Sequence, residues 1–251
     1  MSIIPVSALS DNYIWVIVQH QQAIAIDPGE AKPLNDFLKQ HHLDLTAIWL
    51  THTHSDHIAG VARLKQDYPH CQIVGQENWS DVNYMVKEGS ELTAFGDEVT
   101  VWSIPGHTND HLAYLLKTQQ QLHVFCGDTL FSAGCGRVFS GTASQLYHSL
   151  QRFNQLPTQT LFYPAHEYTA ANLRFAQMVE PKNQAIENAL TESQHLPTLP
   201  VTLFHEREVN PFLRLNQPDI QKNLMAAGLS AAEARQPLKE FIFLREWKNR
   251  F

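Results

Sequence analysis

Four side chains able to bind a metal fall within six residues of this chain, in Thr51-His52-Thr53-His54-Ser55-Asp56-His57. The apolar run 47–50 leads straight into them and reads as a short strand. A continuing strand would send His54 and His57 to opposite faces, whereas a loop at a strand end can turn all four donors toward one point. The fold must therefore present strand ends as its working surface. Three later segments repeat the setting. Gly106-His107-Thr108 follows the strand-like run 99–104, Gly127-Asp128-Thr129 follows 122–126, and Ala165-His166-Glu167 follows 160–163. Singly, each has a plainer reading as a loop histidine, a turn or capping aspartate, or a buried hydrogen-bonded histidine. Together they supply donors that the first cluster lacks. Imidazole with carboxylate suits zinc, iron or manganese. No cysteine lies beside the cluster, so a thiolate-rich structural zinc site is not expected.

The rest of the chain fits that demand. Runs 13–18 and 23–26 read as a hairpin, the second stopped by the turn Asp27-Pro28-Gly29. Further strands are expected at 72–75 and 113–116, and helices at 30–42, 58–68, 143–155 and 169–179, with Leu34, Phe37 and Leu38 on one stripe of the first. Strands and helices mix, and many strands are joined by short loops. That favours a layered α/β sandwich over a doubly wound parallel sheet. After about residue 167 the strand signals fade, with a weak exception around Leu203, and 217–228 and 230–248 read as helices. We expect a catalytic domain over 1–166 and a small, mainly helical domain over 167–251.

Composition removes several classes of function. The net charge of -7 argues against general nucleic-acid binding, which wants a basic surface. No apolar run approaches the roughly 20 residues that span a bilayer. The first residues lack a basic start followed by an apolar stretch, so no secretory signal is expected. Three widely spaced cysteines, Cys71, Cys126 and Cys135, do not suggest a disulfide framework. The expected setting is reducing and cytoplasmic, and the expected state is a monomer.

The order HxHxDH, GHT, GDT, AHE resembles the metallo-β-lactamase superfamily, which implies a four-layer αββα sandwich with metals at one edge between the sheets. A finer resemblance is to the glyoxalase II (hydroxyacylglutathione hydrolase) family. It is carried by Cys126-Gly127-Asp128-Thr129-Leu130-Phe131 with Gly134-Cys135-Gly136-Arg137, by Ser140-Gly141-Thr142-Ala143, and by Pro164-Ala165-His166-Glu167-Tyr168-Thr169 with Asn210-Pro211-Phe212-Leu213-Arg214. The resemblance implies that His52, His54 and His107 hold one metal, that Asp56, His57 and His166 hold a second, and that Asp128 bridges them. Two divalent ions per chain follow, zinc first, with iron or manganese as alternatives. Such a pair can share a hydroxide and polarise a carbonyl, with water made acidic enough, at about pKa 7, to supply a nucleophile at neutral pH. Asp56 is both a ligand and placed to orient that hydroxide.

The implied reaction is hydrolysis of S-D-lactoylglutathione, and of other S-2-hydroxyacylglutathione thioesters, to D-lactate and glutathione. This is the second step of methylglyoxal detoxification by the glyoxalase pathway. A thiol with pKa near 8.5 leaves as thiolate, so no general acid is assigned. Glutathione carries two carboxylates. Arg245 and Lys248, three apart on the last helix, share one face; spacing alone also fits cations that suit a helix C-terminus. The resemblance assigns them to glutathione, with Arg137 and Tyr168. Phe139 stands in the substrate site where some members have Tyr, which removes one hydrogen bond. Asp110 replaces a glycine of the family's GHTxGH, and His111 supports the site rather than binding metal. A sulfur dioxygenase with a single iron is the main rival, separable by thioester loss against oxygen uptake on glutathione persulfide. A lactamase or ribonuclease does not explain the tail, and a binding module without catalysis predicts a missing ligand, whereas the set is complete.

Overall fold

The computed structural model describes residues 1–251 throughout. Contact density divides them into two units, Met1–Ser103 with Asp110–Gly127, and Ile104–Asn109 with Asp128–Phe251.

The first unit opens with β1 (Ser2–Ala8), β2 (Asn12–Gln19) and β3 (Gln22–Ile26), followed by α1 (Ala31–Gln40) and β4 (Asp44–Trp49). Next come α2 (Ser55–Ile58), α3 (Val61–Asp67), β5 (Gln72–Gly75) and β6 (Tyr84–Met85). The strands form one sheet in sequence order. The expected hairpin is β2–β3, in register from Trp15↔Ile26 to Gln19↔Gln22. Strand β4 lies parallel to β3 and β5 parallel to β4, so a crossover must separate each pair. Helix α1 makes the first crossing and buries Leu34 and Leu38 completely. The helix expected over 58–68 splits into α2 and α3. The break is at Gly60, whose N–H donates to Pro28 O at 3.0 Å and where a Cβ would collide with that oxygen.

A second, antiparallel set follows: β7 (Glu91–Ala94), β8 (Asp97–Ser103), β9 (Leu112–Lys117) and β10 (Leu122–Gly127). It packs against the first sheet through aromatic rings. Trp49 stacks on Tyr114 at 5.1 Å and meets the edge of Phe125 at 6.3 Å. The buried Tyr114 hydroxyl donates to Leu50 O at 2.7 Å, so this phenol is satisfied inside the core.

The second unit holds the hairpin β11 (Leu130–Phe131) and β12 (Gly134–Cys135), then α4 (Ala143–Phe153) and β13 (Leu161–Pro164). The remainder is α5 (Thr169–Val179), α6 (Gln184–Glu192), β14 (Val201–Thr202), α7 (Leu203–Val209), α8 (Pro218–Ala226) and α9 (Pro237–Asn249). Thr142 starts α4 with a capping box to Gln145, and Phe153 of α4 packs edge-on against Phe162 of β13 at 5.2 Å. Beyond 167 the chain is mainly helical, as expected. The weak signal near Leu203 is a two-residue strand paired with β13, and Leu203 itself begins α7. The helix expected over 230–248 starts only at Pro237, after a 3-10 turn at Glu233–Arg235. Proline lacks an N–H and fits the first helical turn, not the interior.

Glu206 of α7 is wholly buried. Its Oε2 accepts hydrogen bonds from Ala133 N at 2.9 Å and Asn210 Nδ2 at 2.8 Å. Burial pushes its carboxyl up to about 7, against the opposing pull of bonds from Asn210, Ala133 and Ser132. The folded chain then holds a proton that the unfolded chain has lost above about pH 4.5, so this residue's contribution to stability weakens as pH rises from there to about 7. We expect Glu206→Gln to remove that slope. The Tm difference, variant minus parent, should grow between about pH 5 and about pH 8. A constant difference across thermal melts would contradict it.

Candidate metal centre

In the first unit His52, His54, Asp56 and His57 occupy the turn from β4 into α2, as a loop at a strand end requires. His52 is the hub. Its ring lies 4.7 Å from His54, 4.0 Å from His57 and 4.6 Å, nearly parallel, from His111. His111 in turn has Nδ1 3.0 Å from Leu112 O. Asp27, at the end of β3, organises the cluster from behind. Its Oδ1 accepts from Thr51 N at 2.7 Å, and its Oδ2 from Thr51 Oγ1 at 2.6 Å. Its Oδ2 is also 3.0 Å from His57 Nδ1.

These bonds fix tautomers. The Thr51 hydroxyl spends its one hydrogen on Asp27, so its 3.0 Å contact with His52 Nδ1 has the ring donating. His57 Nδ1 donates to the Asp27 carboxylate. In both rings Nε2 is left as the lone-pair nitrogen, the arrangement usual for histidines that bind metal. Asp27, His52 and His57 also have donor atoms within 4.8 Å of one another. With both oxygens already engaged, Asp27 acts as the carboxylate behind the rings. Asp56 lies on the opposite, Nε2 side of His57, with Oδ2 3.5 Å from that nitrogen and 3.3 Å from the Asn12 amide nitrogen. Gly29 and Gly127 make the packing possible. A Cβ on Gly29 would strike Asp56 O, and one on Gly127, which sits at φ +46°, would strike Thr51 Oγ1 and the His111 ring.

The second unit, taken by itself, holds His107, Asp128 and His166. The Asp128 carboxylate lies between two imidazoles, with Oδ2 3.5 Å from His107 Nε2 and Oδ1 3.5 Å from His166 Nε2. His107 Nδ1 donates to Arg137 O at 2.8 Å, again turning Nε2 outward. Gly136 closes on this group, since a Cβ there would collide with Asp128 O and sit 3.2 Å from His107 Nδ1. Gly141 similarly abuts Gly106 O, so both glycine-containing motifs are close approaches of backbone to the loop that carries His107.

The second unit also carries aromatic and basic groups of differing exposure. Phe139, 63% exposed, sets its edge 5.1 Å from the His107 ring. Tyr168 stacks on His166 at 4.7 Å with planes 9° apart. Arg137 is exposed. Arg245 and Lys248 of α9 divide their work. Arg245 is buried, and its Nη1 donates to Cys135 O at 2.8 Å and Gly136 O at 3.3 Å, with Phe212 5.3 Å from its guanidinium carbon. Lys248 is half-buried with Nζ 4.9 Å from the Phe175 ring centroid. Burial pushes its ammonium down to about 8, the positive Arg245 and Arg137 add to the shift, and Cys135 opposes it.

Asp110 also finds a partner set of its own. Its carboxylate accepts from Trp79 Nε1 at 2.7 Å and its carbonyl from Gln76 Nε2 at 2.7 Å. Sequence reasoning missed Asp27 and Asn12. The one available signal was Asp27 in a turn at a strand end, the same setting as the later donors.

Residues 9–166 match the metallo-beta-lactamase superfamily, and residues 167–251 match the hydroxyacylglutathione hydrolase C-terminus. The chain is 52% identical over 252 residues to a hydroxyacylglutathione hydrolase of Neisseria meningitidis serogroup C, covering 100% of this chain and 99% of that one. It is 43% identical to one from Vibrio cholerae, covering 98% of each. Among solved structures, ETHE1 from Myxococcus xanthus superposes with a TM-score of 0.60 at 30% identity, over 86% of this chain and 100% of that one. The fold is that of the metallo-β-lactamases with a C-terminal helical region, and its histidine and aspartate groups fit a binuclear metal site.

Proposed function

The chain belongs to the hydroxyacylglutathione hydrolases of the metallo-β-lactamase superfamily, and on that premise we propose that it hydrolyses S-D-lactoylglutathione and related 2-hydroxyacyl thioesters to the hydroxy acid and glutathione. The observation that carries the reading is the Asp128 carboxylate, which offers one oxygen toward His107 and the other toward His166. A carboxylate so shared is suited to join two metal groups, His52-His54-His107 and Asp56-His57-His166. We assign zinc first, with iron or manganese acceptable to the same donors.

When bound, such a pair of ions lowers the pKa of water to about 7 and polarises the thioester carbonyl. The chain's own residues do the rest. Asp27 and Thr51 hold His57 and His52 in the tautomers that present Nε2. Asp56, steadied by Asn12, is placed to accept a hydrogen bond from the attacking water. Phe139 and Tyr168 flank the donors with apolar surface against which the acyl group and the glutathione sulfur can lie. Lys248 and Arg137 offer charge to glutathione's carboxylates. The thiolate leaves unaided, so no acid is needed at the sulfur. The substrate is a small molecule, and we propose that a monomer in the cytoplasm acts on it. No helix is long and apolar enough to cross a membrane.

Steady-state hydrolysis of S-D-lactoylglutathione, with metal analysis of the same sample, tests the reading. Two metal equivalents with turnover support it; two equivalents without thioester loss overturn it. Lys248→Ala should raise KM roughly 10- to 100-fold, as loss of one charge-assisted contact does, with kcat little changed. In the parent, KM should climb above about pH 8 as the ammonium is lost, and the variant should not show that climb.

A further inference from the structure

The hairpin Leu130–Cys135 runs from Asp128 toward Arg137, and side chains of the tail helices hold its turn. Asn172 of α5 donates to Ser132 O at 2.9 Å. Glu206 of α7 accepts from Ala133 N at 2.9 Å. Asn210, just after α7, donates from Nδ2 to Gly134 O at 2.9 Å and Phe131 O at 3.3 Å. Arg245 of α9 takes the carbonyls of Cys135 and Gly136. The turn needs this support because Ala133 sits at φ +55°, a left-handed conformation that costs a non-glycine residue on the order of 1 kcal/mol. Asn210 is chemically specific. Its Oδ1 accepts from Phe212 N at 3.1 Å while its Nδ2 feeds the carbonyls and Glu206 Oε2. Only an amide offers an acceptor and two donors at one carbon. The far end of the hairpin, Gly136, lies against Asp128 O and His107 Nδ1.

We propose that Asn210 and Glu206 are positioning residues for the hydrolytic centre: through the Leu130–Cys135 hairpin they set the direction of the Asp128 carboxylate between His107 and His166. The tail thereby controls how firmly metal is held, besides binding substrate. This rests on the reading of Asp128 as a shared metal ligand. The motif Asn210-Pro211-Phe212-Leu213-Arg214 gains a task by it: Phe212 lies beneath Arg245, and Arg214 pairs with the buried Glu180 at 2.9 Å.

The test is zinc affinity by chelator competition on stripped protein, read beside thermal melts of that protein and hydrolysis by the reloaded one. Asn210→Ala should weaken retention of at least one zinc by roughly 10- to 100-fold, as loss of a group orienting a metal ligand does, with the activity loss in kcat rather than KM. Glu206→Gln keeps an oxygen able to accept both bonds and should stay within about 3-fold of the parent in affinity. A lower Tm for stripped Asn210→Ala with unchanged zinc affinity and kcat would reduce the pair to fold stability and overturn the proposal. If Asn210→Ala does not fold, Asn172→Ala, which removes only the bond to Ser132 O, must still weaken zinc several-fold; an unchanged affinity there overturns it equally. Asp128→Ala in the same series separates the two layers. Full zinc retention in it sinks the metal assignment, whereas loss in it with Asn210→Ala unchanged sinks only the positioning role.

Discussion

Replacing Asp128 with alanine should lower kcat/KM by at least about 10³-fold, roughly 4 kcal/mol of transition-state stabilisation, and leave the purified protein short of two metal equivalents. The size follows from the geometry. Asp128 lies 3.5 Å from both His107 Nε2 and His166 Nε2 through different oxygens, so on the proposed assignment its removal takes a donor from both metals at once. The neighbouring imidazoles keep their orientation, because His107 is held by Arg137 O and His166 by the Tyr168 ring. The loss should therefore appear in metal content and kcat while the fold survives. Asp128→Asn isolates charge, keeping the volume and one oxygen but offering no anion. It should retain more metal than the alanine variant and remain far below the parent in turnover. Parent-like turnover in either variant would remove Asp128 from the chemistry.

Stripping the metals should abolish hydrolysis altogether and lower the Tm. On the proposed mechanism the nucleophile is water made acidic by the metals, so without them the attacking group is lost. A ligand held only by the folded state, at about a thousand times its Kd, contributes roughly 4 kcal/mol to stability, and the melt should register that loss. Returning zinc, iron and manganese separately, with turnover and bound metal read on each sample, identifies the ion that this donor set uses. Hydrolysis that persists undiminished after complete removal would rule out a metal mechanism.

The donors were legible because they recur in one setting, a polar residue just past an apolar run, and strand ends expose such residues together. Their supporting groups were not. Asn12 reaches Asp56 across 44 positions and Asp27 reaches His57 across 30, and nothing local marks either pair. Arg245 and Lys248 look equivalent by helical spacing, yet Arg245 is buried on two carbonyls while Lys248 stays half-buried; burial depends on which elements pack against a face. Strand β1 escaped notice because Pro5 breaks its pattern, and a proline is tolerated there only because β1 is an edge strand. Helix α7 was read as a weak strand since its first residues are Leu203 and Phe204, and the Thr202 cap decides the matter.

The left-handed turn at Ala133 and its four supporting side chains bear on how this protein could be re-engineered. A chimera that exchanged residues 167–251 for another tail, to recognise a different thiol carrier, would inherit a hairpin whose props had been replaced by strangers. The workable seam lies at Gly127/Asp128, so that donor, turn and props travel as one cassette. Recognition and reactivity are in that sense inherited together, and a new substrate preference would have to be selected with the hairpin rather than grafted beside it.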